Sequence, residues 1–249
     1  MARGEMEDQT KTSRIPATMK AIVQHRFGVA NLELAEIPIS KPEPNQVLVQ
    51  VRASSINAFE WHMTSGVPYF MRLSQGLTKP KIPKVGADVA GTVAAVGGEV
   101  TRFKVGDRVF GDIGFGAYAE YAVSSERNLA LKPESVGFDE AAAVPVAGLT
   151  ALQGLRDVGN LQSGERVLII GASGGVGTYA VQIAKVLGAR VTAVCSTHNV
   201  ETARSIGADV VIDYTREDFT RLDENYDLVF DGPGTTPLRK LRKLMKPEG

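Results

Sequence analysis

Short apolar runs separated by turn residues mark the first half of the chain. The alternation predicts β-strands at Lys20–Gln24, Val47–Val51, Val89–Val96 and Arg108–Phe110. Runs this short, with Gly, Pro and Asp between them, are typical of a barrel or sandwich. One such turn, at Val105–Val109, places Gly-Asp between apolar flanks and has no predicted role beyond the fold.

After about Ala141 the pattern changes to strands that alternate with helices. Apolar residues at helical spacing predict helices at Val176–Leu187 and Glu201–Ile206. Four compact apolar runs are predicted as strands: Arg166–Ile170, Val191–Val194, Val210–Ile212 and Leu228–Phe230. Strands and helices in this order indicate βαβ units, and therefore a parallel sheet with helices on both faces.

Composition narrows the functional classes. The chain has 249 residues, of which 43% are hydrophobic and 22% charged, and its 28 Lys and Arg balance its 28 Asp and Glu. Balanced charge disfavours nucleic acid and an anionic membrane surface as partners. The single cysteine, Cys195, excludes an internal disulfide and fits a reducing, cytoplasmic compartment. Residues 1–18 are predicted to be a flexible polar leader, and no stretch is long and apolar enough to span a membrane.

A glycine-rich turn lies between the first strand and the first helix of the second half. It reads Gly171-Ala172-Ser173-Gly174-Gly175-Val176-Gly177. Positions without side chains let the backbone approach a pyrophosphate, and the helix start offers it free N–H groups. Gly177 would also let helix and strand pack closely. This setting predicts a dinucleotide site, with an empty tight turn as the alternative.

The end of the second strand indicates which dinucleotide is bound. An acidic residue there would bind the ribose 2′-hydroxyl of NAD and repel a 2′-phosphate, whereas Val194–Asn199 contains no carboxylate. The hydroxyls of Ser196 and Thr197 can donate to a phosphate, so NADP(H) is the predicted cofactor. The alternative is that both residues cap the next helix, which is compatible with phosphate binding.

These motifs resemble the medium-chain dehydrogenase/reductase family, and within it the zinc-independent quinone oxidoreductase branch. Besides the glycine turn and Val105–Val109, the resemblance rests on Ala147–Ala151 and Val211–Tyr214. It implies an α/β plus β fold: a GroES-like β-barrel catalytic domain at 19–140, then a Rossmann NADP-binding domain at 141–249. The Rossmann domain would have four strands and be incomplete at its C-terminus.

The resemblance also allows the positions of the zinc ligands to be compared. Zinc alcohol dehydrogenases have Cys or His where this chain has Asn57, Ala87 and Val146. Ala and Val side chains cannot ligate a metal, so no metal site is expected. The chemistry implied is hydride transfer from NADPH to an acceptor that needs little electrophilic help, such as a quinone or an activated alkene.

Three residues are candidates for catalysis by this resemblance. Asn57 and Glu60 match the Asn and Asp of the branch's N-x-x-D motif, with Glu in place of Asp. Asn57 would donate a hydrogen bond to developing oxyanion charge, or alternatively bind its own backbone in a turn. Tyr69 would donate a proton or stack on the acceptor, or alternatively serve in packing.

Further residues are assigned to the cofactor. Thr150 lies where the family chain meets the cofactor, with helix capping as the alternative. Tyr214 matches a tyrosine beside the 2′-phosphate, Asn199 replaces a frequent Lys, and Gly232 lies near the nicotinamide ribose. The glycine turn contributes the remaining candidates: Ser173, Gly174, Gly175, Val176 and Gly177.

The chain stops where relatives complete the helix after the fourth Rossmann strand. Two strands of the family fold, and the edge through which family dimers form, are expected to be missing. The intact parent is thus expected to be a homodimer that acts on a small molecule. Alternatives are an enoyl-thioester reductase, a non-catalytic NADPH-binding module and an RNA-binding protein, the last disfavoured by the balanced charge.

Overall fold

The computed structural model describes residues 15–222 and 225–247, so the first fourteen residues of the predicted leader lie outside the described residues. The chain forms two compact units, the first ending at Asp139 and the second beginning at Glu140. No helix among the described residues is long and apolar enough to cross a membrane.

The first unit is built on antiparallel strands. Its strands are β1 (Thr18–Gln24), β2 (Leu32–Pro38), β3 (Gln46–Ala53), β4 (Asp88–Val96), β5 (Arg108–Asp112), β6 (Tyr121–Ser125) and β7 (Leu129–Leu131). A five-stranded sheet has the order β6-β3-β4-β5-β7, and β1 pairs with β2 in a separate ribbon. Single bridges from Ala21 to Ala119 and from Val23 to Lys84 connect the ribbon to the rest of the unit.

Alternating valines explain the five-stranded sheet. Val47 and Val49 of β3, Val89 and Val93 of β4 and Val109 of β5 form one fully buried cluster. Side chains two apart on a strand share a face, so this alternation buries one face of the sheet. Two short α-helices follow β3: α1 (Ala58–Ser65) and α2 (Arg72–Gln75).

The second unit contains a parallel sheet with the order β10-β9-β8-β11. Its strands are β8 (Arg166–Ile170), β9 (Arg190–Cys195), β10 (Val210–Asp213) and β11 (Leu228–Asp231). The helices numbered after α2 are α3 (Phe138–Ala142), α4 (Pro145–Leu152), α5 (Gly175–Val186), α6 (Val200–Ser205) and α7 (Leu238–Leu241). All four strands were predicted, to within one residue at each end.

Both faces of the parallel sheet are covered. Val167 and Ile169 of β8 belong to one buried cluster, with Ala180 and Val181 of α5. Leu168 and Ile170 belong to a second, with Leu241 of α7 packed against it. Consecutive residues of β8 therefore enter opposite cores, as expected for a central parallel strand.

Candidate functional site

The glycine turn joins β8 to α5 through a backbone that only glycine adopts readily. Gly171 has a φ of +75°, and a Cβ there would lie 2.8 Å from the ring of Pro233. The Gly174 N–H donates to the Gly171 carbonyl at 3.0 Å and closes the turn. The twelve-residue α5 begins at Gly175, so its first N–H groups lack acceptors within the helix.

Gly177 brings the helix against the turn. A Cβ at this position would lie 2.1 Å from the Gly171 carbonyl oxygen and 2.8 Å from the Ala172 Cα. Both are backbone atoms, which cannot rotate away as a side chain can. The close packing expected at Gly177 is therefore present, and it fixes the direction in which the start of α5 points.

A cavity of about 610 Å³ opens beside this turn at the carboxyl ends of β8 and β9. Five of the predicted cofactor residues line it: Ser173, Gly174, Ser196, Asn199 and Tyr214. Six others do not line it: Thr150, Gly175, Val176, Gly177, Thr197 and Gly232. Three of those six form the first turn of α5, and Gly232 directly precedes the lining residue Pro233.

The residues after β9 are held by hydrogen bonds to one another and to the end of β10. Asn199 Nδ2 donates to Ser196 Oγ at 3.1 Å. Thr197 is not among the residues that line the cavity, and its hydroxyl donates to Asp213 Oδ2 at 2.5 Å. Ser196 directly precedes the 3-10 turn Thr197–Asn199, but neither Ser196 nor Thr197 makes the side-chain hydrogen bond that the capping alternative requires. The role of the Thr197 hydroxyl at a 2′-phosphate stays a prediction.

Carboxylates near this end of the sheet were missed. Asp213 ends β10, and the hydroxyls of Thr197 and Thr215 lower its pKa by stabilising the charged form. Glu217 and Asp218 line the cavity itself. The parallel pairing of β10 with β9 brings these three residues to the edge of the sheet at which β9 ends, a placement that the residues after β9 do not reveal by themselves.

Cys195 is buried in the wall of this cavity, with 1% of its surface exposed. Burial raises the pKa of its thiol, and the charge of Asp213 raises it further. We expect Ellman's reagent to modify Cys195 rapidly only after denaturation, because the thiolate is both disfavoured and inaccessible in the folded chain. Rapid modification of the native protein, at the rate of a small free thiol, would contradict this placement.

In the first unit, Asn57 and Glu60 form the start of α1. The Asn57 N–H donates to Glu60 Oε2 at 2.8 Å, which is the carboxylate half of a capping box. Glu60 Oε1 accepts from the Ala87 N–H at 3.0 Å. Glu60 is 4% exposed, so its carboxylate is a buried anchor that connects two backbone segments.

Asp88 joins this group and was not singled out from sequence. It is fully buried, and its Oδ2 accepts from the Ser55 hydroxyl at 2.5 Å and from Asn57 Nδ2 at 2.9 Å. Asn57 Nδ2 also donates to Ser55 Oγ at 3.0 Å. The side-chain amide of Asn57 thus already donates hydrogen bonds to two groups of the first unit. To donate to an oxyanion, as expected, it would have to give up one of them.

A tyrosine other than the predicted one contacts this cluster. The Tyr118 hydroxyl donates to the Ser55 carbonyl at 2.9 Å, and burial together with Glu60 and Asp88 raises its pKa. The predicted Tyr69 is 72% exposed, and its ring lies 4.8 Å from the Arg72 guanidinium. Within the described part of the chain, no hydrogen bond joins Tyr69 to Asn57 or Glu60.

Thr150 lies inside α4 and does not cap it. Its hydroxyl donates to the Val146 carbonyl at 2.6 Å, one helical turn earlier, and the side chain is exposed. The capping alternative for Thr150 is therefore wrong.

Metal-ligating side chains are not grouped in the residues that the structure describes. Across 15–222 and 225–247, no three His, Cys, Asp or Glu side chains are placed so that they could hold an ion. Ala87 is fully buried and Ala147, next to Val146, is 3% exposed.

Comparisons with known proteins connect both units to one family. The family model for the alcohol dehydrogenase GroES-like domain matches residues 43–134. The model described as zinc-binding dehydrogenase matches residues 175–249.

Two curated plant proteins and a solved structure are similar over most of the chain. The chloroplast envelope quinone oxidoreductase homolog of Arabidopsis thaliana is 40% identical, over 75% of this chain and 58% of its own length. The chloroplastic NADPH-dependent alkenal/one oxidoreductase of the same plant is 38% identical, over 90% of this chain and 60% of its own. The quinone oxidoreductase from Coxiella burnetii superposes with a TM-score of 0.84 at 32% identity, covering 93% of this chain and 74% of that one. The chain thus spans about three-fifths of the length of these curated relatives.

Proposed function

Because the chain belongs to the medium-chain dehydrogenase/reductase family, in its quinone oxidoreductase branch, we propose that it is an NADPH-dependent reductase of quinones or activated alkenes. The observation that carries this proposal is the glycine turn, which opens on a cavity with no acidic residue at the end of β9. The relatives' names supply the reaction class: a quinone oxidoreductase and an alkenal/one oxidoreductase that uses NADPH.

The residues present fit a dinucleotide. The free N–H groups at the start of α5 would hold the pyrophosphate, since the positive end of the helix dipole lies there and Gly174 and Gly175 leave it uncovered. Ser196, Asn199 and Tyr214 would surround the adenosine end. When bound, the nicotinamide supplies the hydride. Glu217 and Asp218 also line the cavity, and their negative charges would weaken the binding of a 2′-phosphate.

In the first unit, we assign different tasks to the three predicted catalytic residues. Glu60 is a positioning residue, because its carboxylate holds the backbones of Asn57 and Ala87. Asn57 would exchange one of its amide hydrogen bonds, to Ser55 or Asp88, for the acceptor's developing oxyanion. Tyr69 has an exposed hydroxyl that can supply the proton.

We further propose that no zinc takes part. Ala87 and Val146 stand where zinc alcohol dehydrogenases have ligands, and neither side chain has a donor atom. Hydride transfer to a quinone or to the β-carbon of an enone needs no Lewis acid at the acceptor oxygen. A strong chelator should therefore leave turnover unchanged.

An acceptor panel tests the reaction class. NADPH oxidation by the purified chain is measured with a benzoquinone, an enone, an enoyl-CoA and a saturated aldehyde, each with and without chelator. We expect turnover with the first two acceptors. Turnover with enoyl-CoA alone would replace this proposal by a thioester reductase, and chelator-sensitive reduction of the aldehyde would replace it by a zinc dehydrogenase.

A carboxylate introduced after β9 should change cofactor preference. We expect Ser196→Asp to weaken NADPH binding by about tenfold or more, because two like charges would meet in the cavity, while NADH affinity changes little. The matched control is Thr202→Asp, which adds the same charge on the exposed side of α6. Equal effects of the two substitutions on NADPH would show that Ser196 does not face the cofactor.

We place the chain in a reducing compartment such as the cytoplasm. Its one cysteine is buried and has no second cysteine with which to pair. The two plant relatives carry chloroplast names, which is a property of those proteins. Fluorescent tagging of the protein in cells would test the assignment, and a secretory or extracellular pattern would overturn it.

A further inference from the structure

One segment of the first unit carries a positive charge, although the net charge of the whole chain is zero. Between Trp61 and Ala87 the sequence contains four basic residues and no Asp or Glu: Arg72, Lys79, Lys81 and Lys84 are the cations. The acids that border the segment, Glu60 and Asp88, are 4% and 0% exposed, so they offer little compensating surface charge. The prediction against an anionic partner averaged charge over the whole chain and missed this asymmetry.

The same segment exposes large apolar side chains. Tyr69, Phe70, Leu73 and Leu77 are 72%, 70%, 74% and 68% exposed. A 3-10 turn at Tyr69–Met71 continues directly into α2, so residues three and four apart, such as Phe70 and Leu73, lie on the same side. Isolated exposed apolar residues are normal on a protein surface, whereas four within nine residues indicate a contact surface.

Two of the cations lie beside a cavity. It has a volume of about 540 Å³ and is lined in part by His25, Leu77, Lys79 and Lys81. Within the described residues, neither lysine has a carboxylate within 4.0 Å, while His25 Nε2 lies 3.7 Å from Glu33 Oε1. Two unpaired ammonium groups at an open cavity suit an anionic oxygen-rich group such as a phosphate.

We propose that residues 70–84 dock on an anionic lipid surface. Lys79 and Lys81 contact the phosphate headgroups, while Phe70, Leu73 and Leu77 enter the boundary between headgroups and acyl chains. Charge complementarity decides the occupant. A second copy of the chain would cover the apolar residues, but in a symmetric contact it would bring two acid-free basic segments together. A small phosphate compound would fill the cavity but leave the apolar side chains in water.

The test is co-sedimentation of the whole chain with lipid vesicles. We expect binding to vesicles of phosphatidylcholine with about one-third phosphatidylglycerol, weakening as salt is raised, and little binding to phosphatidylcholine alone. Lys79→Gln/Lys81→Gln should lower the partition coefficient about thirtyfold. Lys41→Gln/Lys104→Gln removes the same charge from exposed positions outside the segment and should have a small effect.

Phe70→Ser/Leu73→Ser tests the apolar part. Both side chains are exposed, so the variant is expected to fold, and it should bind the anionic vesicles more weakly than the unchanged chain. Equal binding to neutral and anionic vesicles, no binding to either, or equal losses in the two lysine pairs would overturn the proposal. Two further results would also overturn it if the chain did not bind vesicles. One is a dimer of the chain that Phe70→Ser/Leu73→Ser abolishes, and the other is coenzyme A binding at Lys79 and Lys81. None of these readouts depends on reductase activity.

Discussion

Replacing Glu60 by alanine is expected to lower the free energy of unfolding by about 2 to 5 kcal/mol. The substitution removes the acceptor for the N–H groups of Asn57 and Ala87, at 2.8 and 3.0 Å, and opens a void at a site that is 4% exposed. A buried donor without a partner costs its full desolvation free energy, so the loss exceeds that of an ordinary surface hydrogen bond. Urea denaturation followed by tryptophan fluorescence measures it.

Two further variants isolate the role of the Glu60 carboxylate. Glu60→Gln keeps one acceptor oxygen and should cost roughly half as much as alanine. Glu99→Gln, at an exposed position, should change stability by less than about 0.5 kcal/mol. If Glu60→Ala were as stable as Glu99→Gln, the anchor described for Asn57 and Ala87 would be incorrect.

Gly177→Ala is expected to cost about 1 to 3 kcal/mol of stability and to lower NADPH affinity by tenfold or more. Alanine is the better helix former, so propensity alone predicts a small gain. The added Cβ would instead lie 2.1 Å from the Gly171 carbonyl oxygen, and the start of α5 would have to move away from the turn. The N–H groups proposed to hold the pyrophosphate move with it. Thermal denaturation and NADPH titration give the two quantities.

Gly98→Ala is the matched control for this substitution. Gly98 is exposed, has no atom within 4 Å of an added Cβ and lies in the other unit. We expect wild-type stability and NADPH affinity for Gly98→Ala. An unchanged NADPH affinity in Gly177→Ala would mean that the position of α5 does not govern cofactor binding.

The parallel sheet could be predicted from sequence because its strands are buried on both faces. In β8, Val167 to Ile170 are all 5% exposed or less, and such a run has few interpretations when a glycine turn and a helix follow. β2 was missed for the opposite reason. No residue of Leu32–Pro38 is buried, and among the described residues the strand pairs with β1 alone, so its apolar positions are too few to stand out.

In the candidate site, too, features set by consecutive residues could be predicted, whereas contacts between distant residues could not. Local backbone requirements, such as those of Gly171 and Gly177, are present in consecutive residues and could be predicted. The Asp88 cluster could not, because Asn57 lies 31 residues away and meets it through folding of the chain between β3 and β4. The contact of Thr197 could not be predicted for a related reason: its hydrogen-bond partner Asp213 is on the neighbouring strand.

The most direct test of the central claim is a titration of the purified chain with NADPH and with NADH, followed by nicotinamide fluorescence, with a quinone added afterwards. We predict that NADPH binds more tightly than NADH and that the quinone then oxidises the bound NADPH. A folded chain that binds neither cofactor would contradict the account.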